Sequence, residues 1–333
     1  MKTMQALIIT CVTLMLAPLA HAQKYHAFVW NSGSGLTDLG TLGGDTSYAL
    51  GVNDSGEVVG YSYLADNVTT HVFTWTSSGG LVDLGSLPGG TWTQGSAINS
   101  AGDIAGTGLD SNRKQVPIYW SPSGGIVSLG ENVGDTRNYG FGINDSGAVT
   151  GQIYIGGVVH AYYWLPGYTR PRFIGALAGG LHSVGCDINN LQHITGTAST
   201  SFGRFDAFVW NASSGMIDIG SLPGGSYTSG RGINDNDEVV GFGGLPNAAF
   251  YWKRGVGMVT MQTLAGGATL AMSINNSGAI AGWSDSPSGA DHAVKWDSYT
   301  SAPQDLGTLP GGAISYAYGI NASGQVAGFS DVP

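Results

Sequence analysis

A seven-fold internal repeat with a spacing of about 44 residues limits the fold of this chain more than any other feature. Each copy has an aromatic strand ending in tryptophan, at Trp30, Trp75, Trp120, Trp164, Trp210, Trp252 and Trp296. Each copy also has an asparagine followed seven residues later by glycine, at Asn53, Asn99, Asn144, Asn189, Asn234, Asn275 and Asn321. Short strands repeating at this period are typical of propeller blades, and the 3.6-residue apolar spacing of helical repeats is absent. The sequence therefore predicts an all-β, seven-bladed β-propeller.

One copy of the repeat contains four short strands, which we label A to D from the ring axis outward. Residues 47–53 are predicted as strand A and residues 57–61 as its antiparallel partner, strand B. The aromatic segment is strand C, and a polar turn leads from it to strand D, as in residues 26–30 and 36–40. Each blade is expected to be a sheet of four antiparallel strands.

A glycine in the A–B turn explains how the two inner strands reverse direction. Gly56 stands where a three-residue hairpin loop needs a residue in the left-handed region, which glycine adopts without steric cost. Gln192 replaces this glycine in the fourth copy and Asp237 replaces it in the fifth. We therefore expect the replaced hairpin to be the least regular of the set.

The two ends of the repeat array complement each other. The array opens on strands C and D, at residues 26–30 and 36–40, and stops after strands A and B, at residues 315–321 and 325–329. A last blade built from two N-terminal and two C-terminal strands would close the ring and leave no open sheet edge. We therefore predict a single propeller domain over residues 23–333.

The first 22 residues have the pattern of a cleavable export signal. Lys2 precedes an apolar run over residues 6–19, and Ala20-His21-Ala22 is a small-x-small cleavage site. No second hydrophobic stretch approaches the length of about 20 residues that a bilayer-spanning helix needs. The expected location is extracellular or periplasmic, without membrane insertion after cleavage.

Charge and cysteine content exclude several classes of protein. The chain has 12 Lys and Arg against 22 Asp and Glu, a formal net charge of −10, which disfavours nucleic acid as a partner. Cys186 is the only cysteine outside the predicted signal, so no disulfide can form within the domain. We expect a monomer that is stabilised by packing.

The motifs H-A-F-x-W, L-G-x-L-x-G-G and G-I-N-x-S-G-x-V-x-G carry a family resemblance. The second motif recurs at residues 84–90, 219–225 and 306–312. The chain resembles the HAF-repeat family of exported bacterial proteins over nearly all of its length after the signal. The resemblance implies export and a β-rich repeat fold, and it supplies no catalytic signature.

The two ends of the blades differ in loop variation. The A–B and C–D turns are short and nearly uniform, whereas the B–C loops vary in length and composition and share their end with the D–A connections. Because variable loops on a rigid scaffold are where binding usually occurs, we expect the ligand site at the end with the B–C loops and D–A connections. We call this end the loop-rich face, and the end with the A–B and C–D turns the short-turn face. The candidate ligand-binding residues there and in the channel are Trp92, Arg137, His182, Tyr227, Tyr48 and Arg231.

Trp92, Arg137, His182 and Tyr227 occupy one repeat position in the D–A connections. Thr46, Ala268 and Ile314 fill that position in the other copies, so no common packing requirement is evident. We weigh a ligand-stacking role for Trp92 equally against simple channel filling.

No metal or cofactor site is expected. His26, His71, His160 and His292 each begin strand C of a different blade. Strand C is two strand spacings, roughly 10 Å, outside strand A, so these side chains cannot converge on one ion. Hydrogen bonding within the blade is the simpler role for them.

Two charged residues break the repeat on the innermost strand. Asp187 stands where other copies have Gly, Ala or Ser, and Arg231 stands where others have Leu, Ser, Phe, Met or Tyr. A charge buried here without compensation would be costly, so each is either solvated in the channel or paired.

Three functions remain open from the sequence. The leading hypothesis is a secreted binding or scaffold propeller whose loop-rich face engages a glycan, an envelope component or a protein. The alternative is a carbohydrate-active enzyme, a polysaccharide lyase or hydrolase, at the mouth of the central channel. Its weak catalytic candidates are His182, Tyr139, Tyr227 and Asp187, with Arg137 and Arg231 binding carboxylates. A purely structural protein without a defined ligand is the third.

Overall fold

The computed structural model describes residues 23–130, 137–245 and 247–333. Over these residues the chain forms 28 strands, arranged as seven four-stranded antiparallel sheets. The predicted signal, residues 1–22, lies outside the described residues. The seven-bladed β-propeller expected from the repeat is confirmed.

The strands follow one another in chain order and fill the blades in turn. The first two strands are β1 (Lys24–Asn31) and β2 (Gly35–Asp38). Blade 1 contains β3 (Gly43–Val52), β4 (Val58–Leu64), β5 (Thr70–Thr76) and β6 (Gly80–Gly85). Blade 2 contains β7 (Thr93–Ile98), β8 (Ile104–Leu109), β9 (Gln115–Ser121) and β10 (Gly125–Ser128). Blade 3 contains β11 (Tyr139–Ile143), β12 (Val149–Ile155), β13 (Val158–Trp164) and β14 (Arg172–Phe173).

Blade 4 contains β15 (Ser183–Ile188), β16 (Ile194–Ser199), β17 (Phe205–Asn211) and β18 (Gly215–Gly220). Blade 5 contains β19 (Thr228–Ile233), β20 (Val239–Gly243), β21 (Ala248–Lys253) and β22 (Gly257–Thr260). Blade 6 contains β23 (Thr269–Ile274), β24 (Ile280–Asp285), β25 (Asp291–Trp296) and β26 (Gln304–Asp305). Blade 7 contains β27 (Ser315–Ile320) and β28 (Val326–Val332), joined by β1 and β2.

Blade 7 closes the ring as the split repeat predicts. Its strand order is β2-β1-β28-β27, and the β1–β28 ladder runs from Lys24 opposite Val332 to Trp30 opposite Val326. The ladder therefore joins the two ends of the propeller domain with backbone hydrogen bonds, and the last blade has a complete set of four strands.

Every innermost strand carries a β-bulge at the same repeat position. In blade 1 the register passes from Ala49 opposite Gly60 to Gly51 opposite Val59, which leaves Leu50 as the extra residue. The bulge residues of the seven blades are Leu50, Ser96, Phe141, Cys186, Arg231, Met272 and Tyr318. Since a bulge redirects a side chain, the seven bulges explain why these residues all line the central cavity.

The repeat asparagines form a closed ring of hydrogen bonds between blades. The side-chain amide of each one donates to the backbone carbonyl of the next, at 2.9–3.1 Å, and Asn321 completes the circle on Asn53. Each side-chain oxygen also accepts the backbone N–H four residues later, at 2.8–3.0 Å. One residue type therefore shapes the A–B turn and ties each blade to its neighbour.

The strand C histidines have the hydrogen-bonding role expected of them in three blades. Nδ1 of His26 lies 2.8 Å from Asp38 on the neighbouring strand D, and His71 and His292 pair in the same way with Asp83 and Asp305. His160 instead stacks on the ring of Phe173, with 4.8 Å between ring centroids. Within the described residues, no three His, Cys, Asp or Glu side chains form a group that could hold a metal ion.

The prediction of an irregular hairpin where glycine is replaced is wrong. Gln192 and Asp237 adopt φ values of 61° and 55°, in the left-handed region. The turn hydrogen bond from Gln192 N to Asn189 O is 3.0 Å, the same as that from Gly56 N to Asn53 O. The backbone accepts the strain of a non-glycine residue and keeps the turn geometry.

Candidate functional site

The loop-rich face carries the most exposed large apolar side chains of the described residues. Val68, Leu181, Phe202 and Leu245 are 72%, 67%, 86% and 86% exposed. All four lie in B–C loops or D–A connections. On the short-turn face, the corresponding exposed side chains are those of Leu191 and Val256, at 55% and 51%. The end predicted to bind a ligand is thus also the end with projecting apolar side chains.

Hydrogen bonds hold the loops that present two of these side chains. The hydroxyl of Ser199 accepts the backbone N–H groups of Leu181 and His182, each at 2.9 Å. The N–H of Ser199 donates to the His182 carbonyl at 2.8 Å. The loop that follows is closed by a bond from Thr200 N to Arg204 O at 2.9 Å, with Phe202 at its tip. Leu181 and Phe202 therefore project from connected loops that are fixed to the same blade.

The sequence singled out four residues in the D–A connections. In the structure these residues pack against strands of their own blade and of neighbouring blades. Trp92 is partly buried, and its carbonyl accepts the N–H of Leu109 at 2.8 Å. The guanidinium of Arg137 lies over the ring of Tyr154, 4.3 Å from its centroid. Arg137 is held within its own blade by this contact, whereas Trp92 also forms a β-bridge with Thr70 of blade 1.

His182 and Tyr227 also contact neighbouring strands. Nδ1 of His182 accepts the backbone N–H of Val159 in blade 3 at 3.2 Å, and burial, together with nearby His160, lowers the pKa of His182. The ring of Tyr227 lies 6.4 Å from that of Phe205 and 6.1 Å from that of Phe242. The contacts described here join Trp92, Arg137, His182 and Tyr227 to four successive blades rather than to one another.

Tyr48 and Tyr139 are packing residues in the structure. Tyr48 stacks on Tyr61, with 4.8 Å between centroids, and meets Phe329 edge-on at 4.7 Å. Tyr139 is buried, and its hydroxyl donates to Gln115 at 3.0 Å. Burial raises the pKa of both tyrosines, which keeps their hydroxyls protonated.

A central cavity of about 220 Å³ brings together the two charges that break the inner-strand repeat. The carboxylate of Asp187 accepts the backbone N–H groups of Ile188 at 2.9 Å and Ile233 at 3.0 Å. Burial raises the pKa of Asp187 to about 7 against the effect of these hydrogen bonds. The structure thus places Asp187 in the channel with backbone compensation.

Arg231 enters the same cavity from the next blade. It is buried, its guanidinium carbon lies 5.7 Å from the ring centroid of Phe242, and Nη1 is 3.9 Å from the sulfur of Cys186. Of the four catalytic candidates, only Asp187 lines this cavity; His182, Tyr139 and Tyr227 do not. The cavity therefore contains one titratable acid and one cation from the candidate residues.

Sequence reasoning singled out the loop-rich face as the predicted ligand-binding end but missed the apolar side chains that project from it. Phe202 stands in Ser-Phe-Gly, and Leu245 follows two glycines. An apolar residue at the tip of an otherwise small or polar loop is the signal that could have identified them, because such a residue has no core to enter.

Comparison with known proteins supports the fold. No protein-family model and no curated protein matches the chain. Among solved structures, TolB from Agrobacterium tumefaciens is 11% identical, with a TM-score of 0.53, over 94% of this chain and 99% of that one.

Two further solved structures share the architecture. The β-propeller domain of the Trilobed protease from Pyrococcus furiosus, which has an open velcro topology, is 10% identical, with a TM-score of 0.57, over 84% of this chain and 86% of that one. A puromycin-hydrolyzing peptidase from Mycobacterium tuberculosis is 10% identical, with a TM-score of 0.56, over 86% of this chain and 52% of that one. At this identity the likeness establishes the β-propeller fold alone.

The described residues include no helix with the length and apolar character that a membrane span requires.

Proposed function

We propose that this chain is an exported binding propeller whose loop-rich face engages a partner protein. The observation that carries the proposal is the concentration of projecting apolar side chains on that face, at Val68, Leu181, Phe202 and Leu245. Several exposed apolar side chains at one end of a domain favour an interaction surface there, since a partner that covers them removes apolar area from water.

The chemistry of these loop tips favours a protein over a glycan or another envelope component. Leu181, Phe202 and Leu245 offer apolar area but no hydrogen-bond donors, whereas a glycan needs donors and acceptors for its hydroxyl groups. The hydrogen-bonded loops beneath Leu181 and Phe202 limit the conformational entropy that binding would cost. The signal pattern at residues 1–22 and the HAF-type motifs support an encounter in the periplasm or outside the cell.

A comparison of two surface variants tests the proposal. The face variant carries Leu181→Ser, Phe202→Ser and Leu245→Ser, and the control variant carries Val256→Ser on the opposite face. Immobilised residues 23–333 are incubated with envelope and secreted proteins of the source organism, and bound proteins are quantified. The proposal expects the wild-type and control chains to retain a discrete set of proteins. The amount of each that the face variant retains should be at least tenfold lower. Equal recovery with both variants, at unchanged melting temperature, contradicts it.

A carbohydrate-active enzyme is the second candidate, and one observation favours it. Asp187 lies in the central cavity with a pKa raised by burial to about 7, which suits general acid or base chemistry near neutral pH. Incubation with a polysaccharide panel, scored for new reducing or unsaturated ends, tests this function. Activity that disappears in Asp187→Asn supports it, and the absence of new ends across the panel contradicts it.

A further inference from the structure

A second cavity opens between blades 3 and 4 at the short-turn end of the ring, away from the loop-rich face. Its volume is about 250 Å³, and we call it the inter-blade pocket. It is lined by Ala148 and Tyr163 of blade 3 and by Ile188, Leu191, Gln192, His193, Trp210, Asn211, Ala212 and Ser213 of blade 4. The function proposed above makes no use of this pocket.

The pocket occupies a groove between two blades, and an equivalent groove lies beside each of the other blades. Three blades carry tyrosine at the strand C position that corresponds to Tyr163, and two of the three hydroxyls are hydrogen-bonded. Tyr251 donates to Glu238 at 2.9 Å. Tyr119 is bonded to Asp103, and burial together with this carboxylate raises the pKa of Tyr119 to about 12. Each acid stands four residues after the repeat asparagine of the same blade, in the A–B hairpin.

Blade 3 lacks that acid. Ala148 occupies the position four residues after Asn144, so the hydroxyl of Tyr163 makes no hydrogen bond to any residue that the structure describes. The small side chain of Ala148 also leaves space that a carboxylate would fill. One substitution within the repeat therefore removes the partner of Tyr163 and opens the floor of the pocket.

The equivalent grooves beside Tyr119 and Tyr251 are covered by a residue from the C–D turn of the next blade. Tyr299 stacks on Tyr251 at 4.0 Å with nearly parallel rings, and Pro166 and the hydroxyl of Tyr119 both border Gly147. The positions that correspond to Pro166 and Tyr299 in blade 4 are Ala212 and Ser213. Their small side chains leave the inter-blade pocket uncovered.

An aromatic wall and several hydrogen-bonding groups border the pocket. The rings of Tyr163 and Trp210 lie 5.5 Å apart at 31°. Nδ1 of His193 pairs with Asp237 at 2.7 Å, which leaves Nε2 of that ring without a bond among the described residues. Asn211 uses its side-chain oxygen in the C–D turn and makes no described bond through its amide nitrogen.

Gln192 adds a further amide at the rim and is held in a strained backbone conformation. Its φ is 61°, whereas five of the other six blades have glycine at this position, with φ of 76–84°, and the sixth has Asp237. Non-glycine residues in this region cost free energy and concentrate at functional sites. The polar side chain is therefore kept beside the pocket at a conformational cost.

We propose that the inter-blade pocket is a carbohydrate subsite that takes a single pyranose ring. Aromatic faces pack against the C–H face of a sugar, while phenol, indole, imidazole and amide groups bond its hydroxyls. A volume of about 250 Å³ is below the roughly 300–1,000 Å³ of drug-sized ligand sites, which suits one ring rather than an oligosaccharide. The site is independent of the partner face because it lies at the other end of the blades.

The test uses methyl α- and β-pyranosides of glucose, galactose, mannose, N-acetylglucosamine and fucose as probes for residues 23–333. Saturation-transfer NMR detects binding, and titration of tryptophan fluorescence gives Kd. Ala148→Glu restores the acid found in blade 5, and Ser213→Tyr copies Tyr299 at an exposed position. We expect at least one glycoside to bind and both variants to weaken it at least tenfold. Tyr163→Phe should also weaken binding, whereas the matched Tyr119→Phe should change Kd less than twofold.

Two outcomes overturn the subsite. One is the absence of saturation transfer to every glycoside of the panel. The other is a Kd that stays unchanged in both Ala148→Glu and Ser213→Tyr while their melting temperatures match that of the wild type. Neither outcome bears on the partner protein, since the face variant, which tests the loop-rich face, alters different residues at the opposite end.

Discussion

At the scale of single residues, the charge of Asp187 is the most consequential departure from the repeat. Most sister blades have glycine at this position, so the backbone there needs no carboxylate. Asp187 accepts two backbone N–H groups, yet burial dominates and raises its pKa to about 7. The ionised form is therefore less stable in the folded protein than in the unfolded chain, where the pKa is about 3.9.

This shift predicts a specific pH dependence of stability. Because the folded-state pKa is the higher one, ionisation of Asp187 reduces stability as pH rises from about 4 to about 7, and the full cost is present above that window. Asp187→Gly should gain on the order of 2 kcal/mol relative to wild type between pH 4.5 and pH 7.5. Urea denaturation of both proteins at a series of pH values measures the difference. A difference that does not vary with pH would refute the burial effect.

Sequence reasoning identified Asp187 and Arg231 because the repeat defines what each position normally holds. It could not place Tyr163 at a site, because its hydroxyl is unusual only when compared with Tyr119 and Tyr251 and their acidic partners. Such a relation between a strand and a neighbouring hairpin becomes visible once the register of the blades is known. The roles of Trp92 and His182 in ligand binding stay predictions.

At the scale of structural elements, the ring of asparagines explains why the A–B hairpin is the most regular part of the repeat. Each side chain satisfies backbone groups of its own turn and of the adjacent blade. The sequence marked the asparagines as landmarks, but it showed only their local turn role. The bond to the next blade depends on the curvature of the ring, which no local pattern contains.

Removing one member of this ring should be costly. Asn321→Ala leaves the N–H of Gln325 without its partner and removes the bond between blades to the carbonyl of Asn53, which still accepts the N–H of Gly56. At about 1–3 kcal/mol for the unsatisfied N–H and about 1 kcal/mol for the lost bond, we expect a loss near 3 kcal/mol. Urea denaturation measures it, and Ser323→Ala, which removes an exposed hydroxyl bonded to Asn321, is the matched control. Equal effects of the two substitutions would show that the ring contributes little.

At the scale of the whole molecule, the propeller is held closed by the ladder between β1 and β28. Lys24 lies opposite Val332, so the start of one strand adjoins the end of the other. The repeat count, the split blade and the four-stranded sheets all followed from the sequence because each copy constrains the next. The inner bulges were not predicted, since the register shift leaves no compositional mark.

Deleting residues 23–40 should therefore destroy cooperative unfolding, because it removes β1 and β2 and exposes the β27–β28 pair. A permuted chain that begins at residue 41 and carries residues 23–40 after Pro333 through a short glycine-serine linker is the control. Since Lys24 and Val332 are neighbours, the permuted chain should unfold cooperatively near the wild-type midpoint. A deletion chain with wild-type thermal unfolding would contradict closure by these strands.

The central claim is that the loop-rich face is where this propeller meets its partner protein. A photoreactive amino acid placed singly at residues 68, 181, 202 and 245, and at residues 191 and 256 on the opposite face, tests it most directly. After irradiation in the source organism, adducts are identified by mass spectrometry. The account predicts the same partner protein crosslinked from loop-face positions and absent from the other two. Adducts of equal yield from both faces, or from residues 191 and 256 alone, would contradict it.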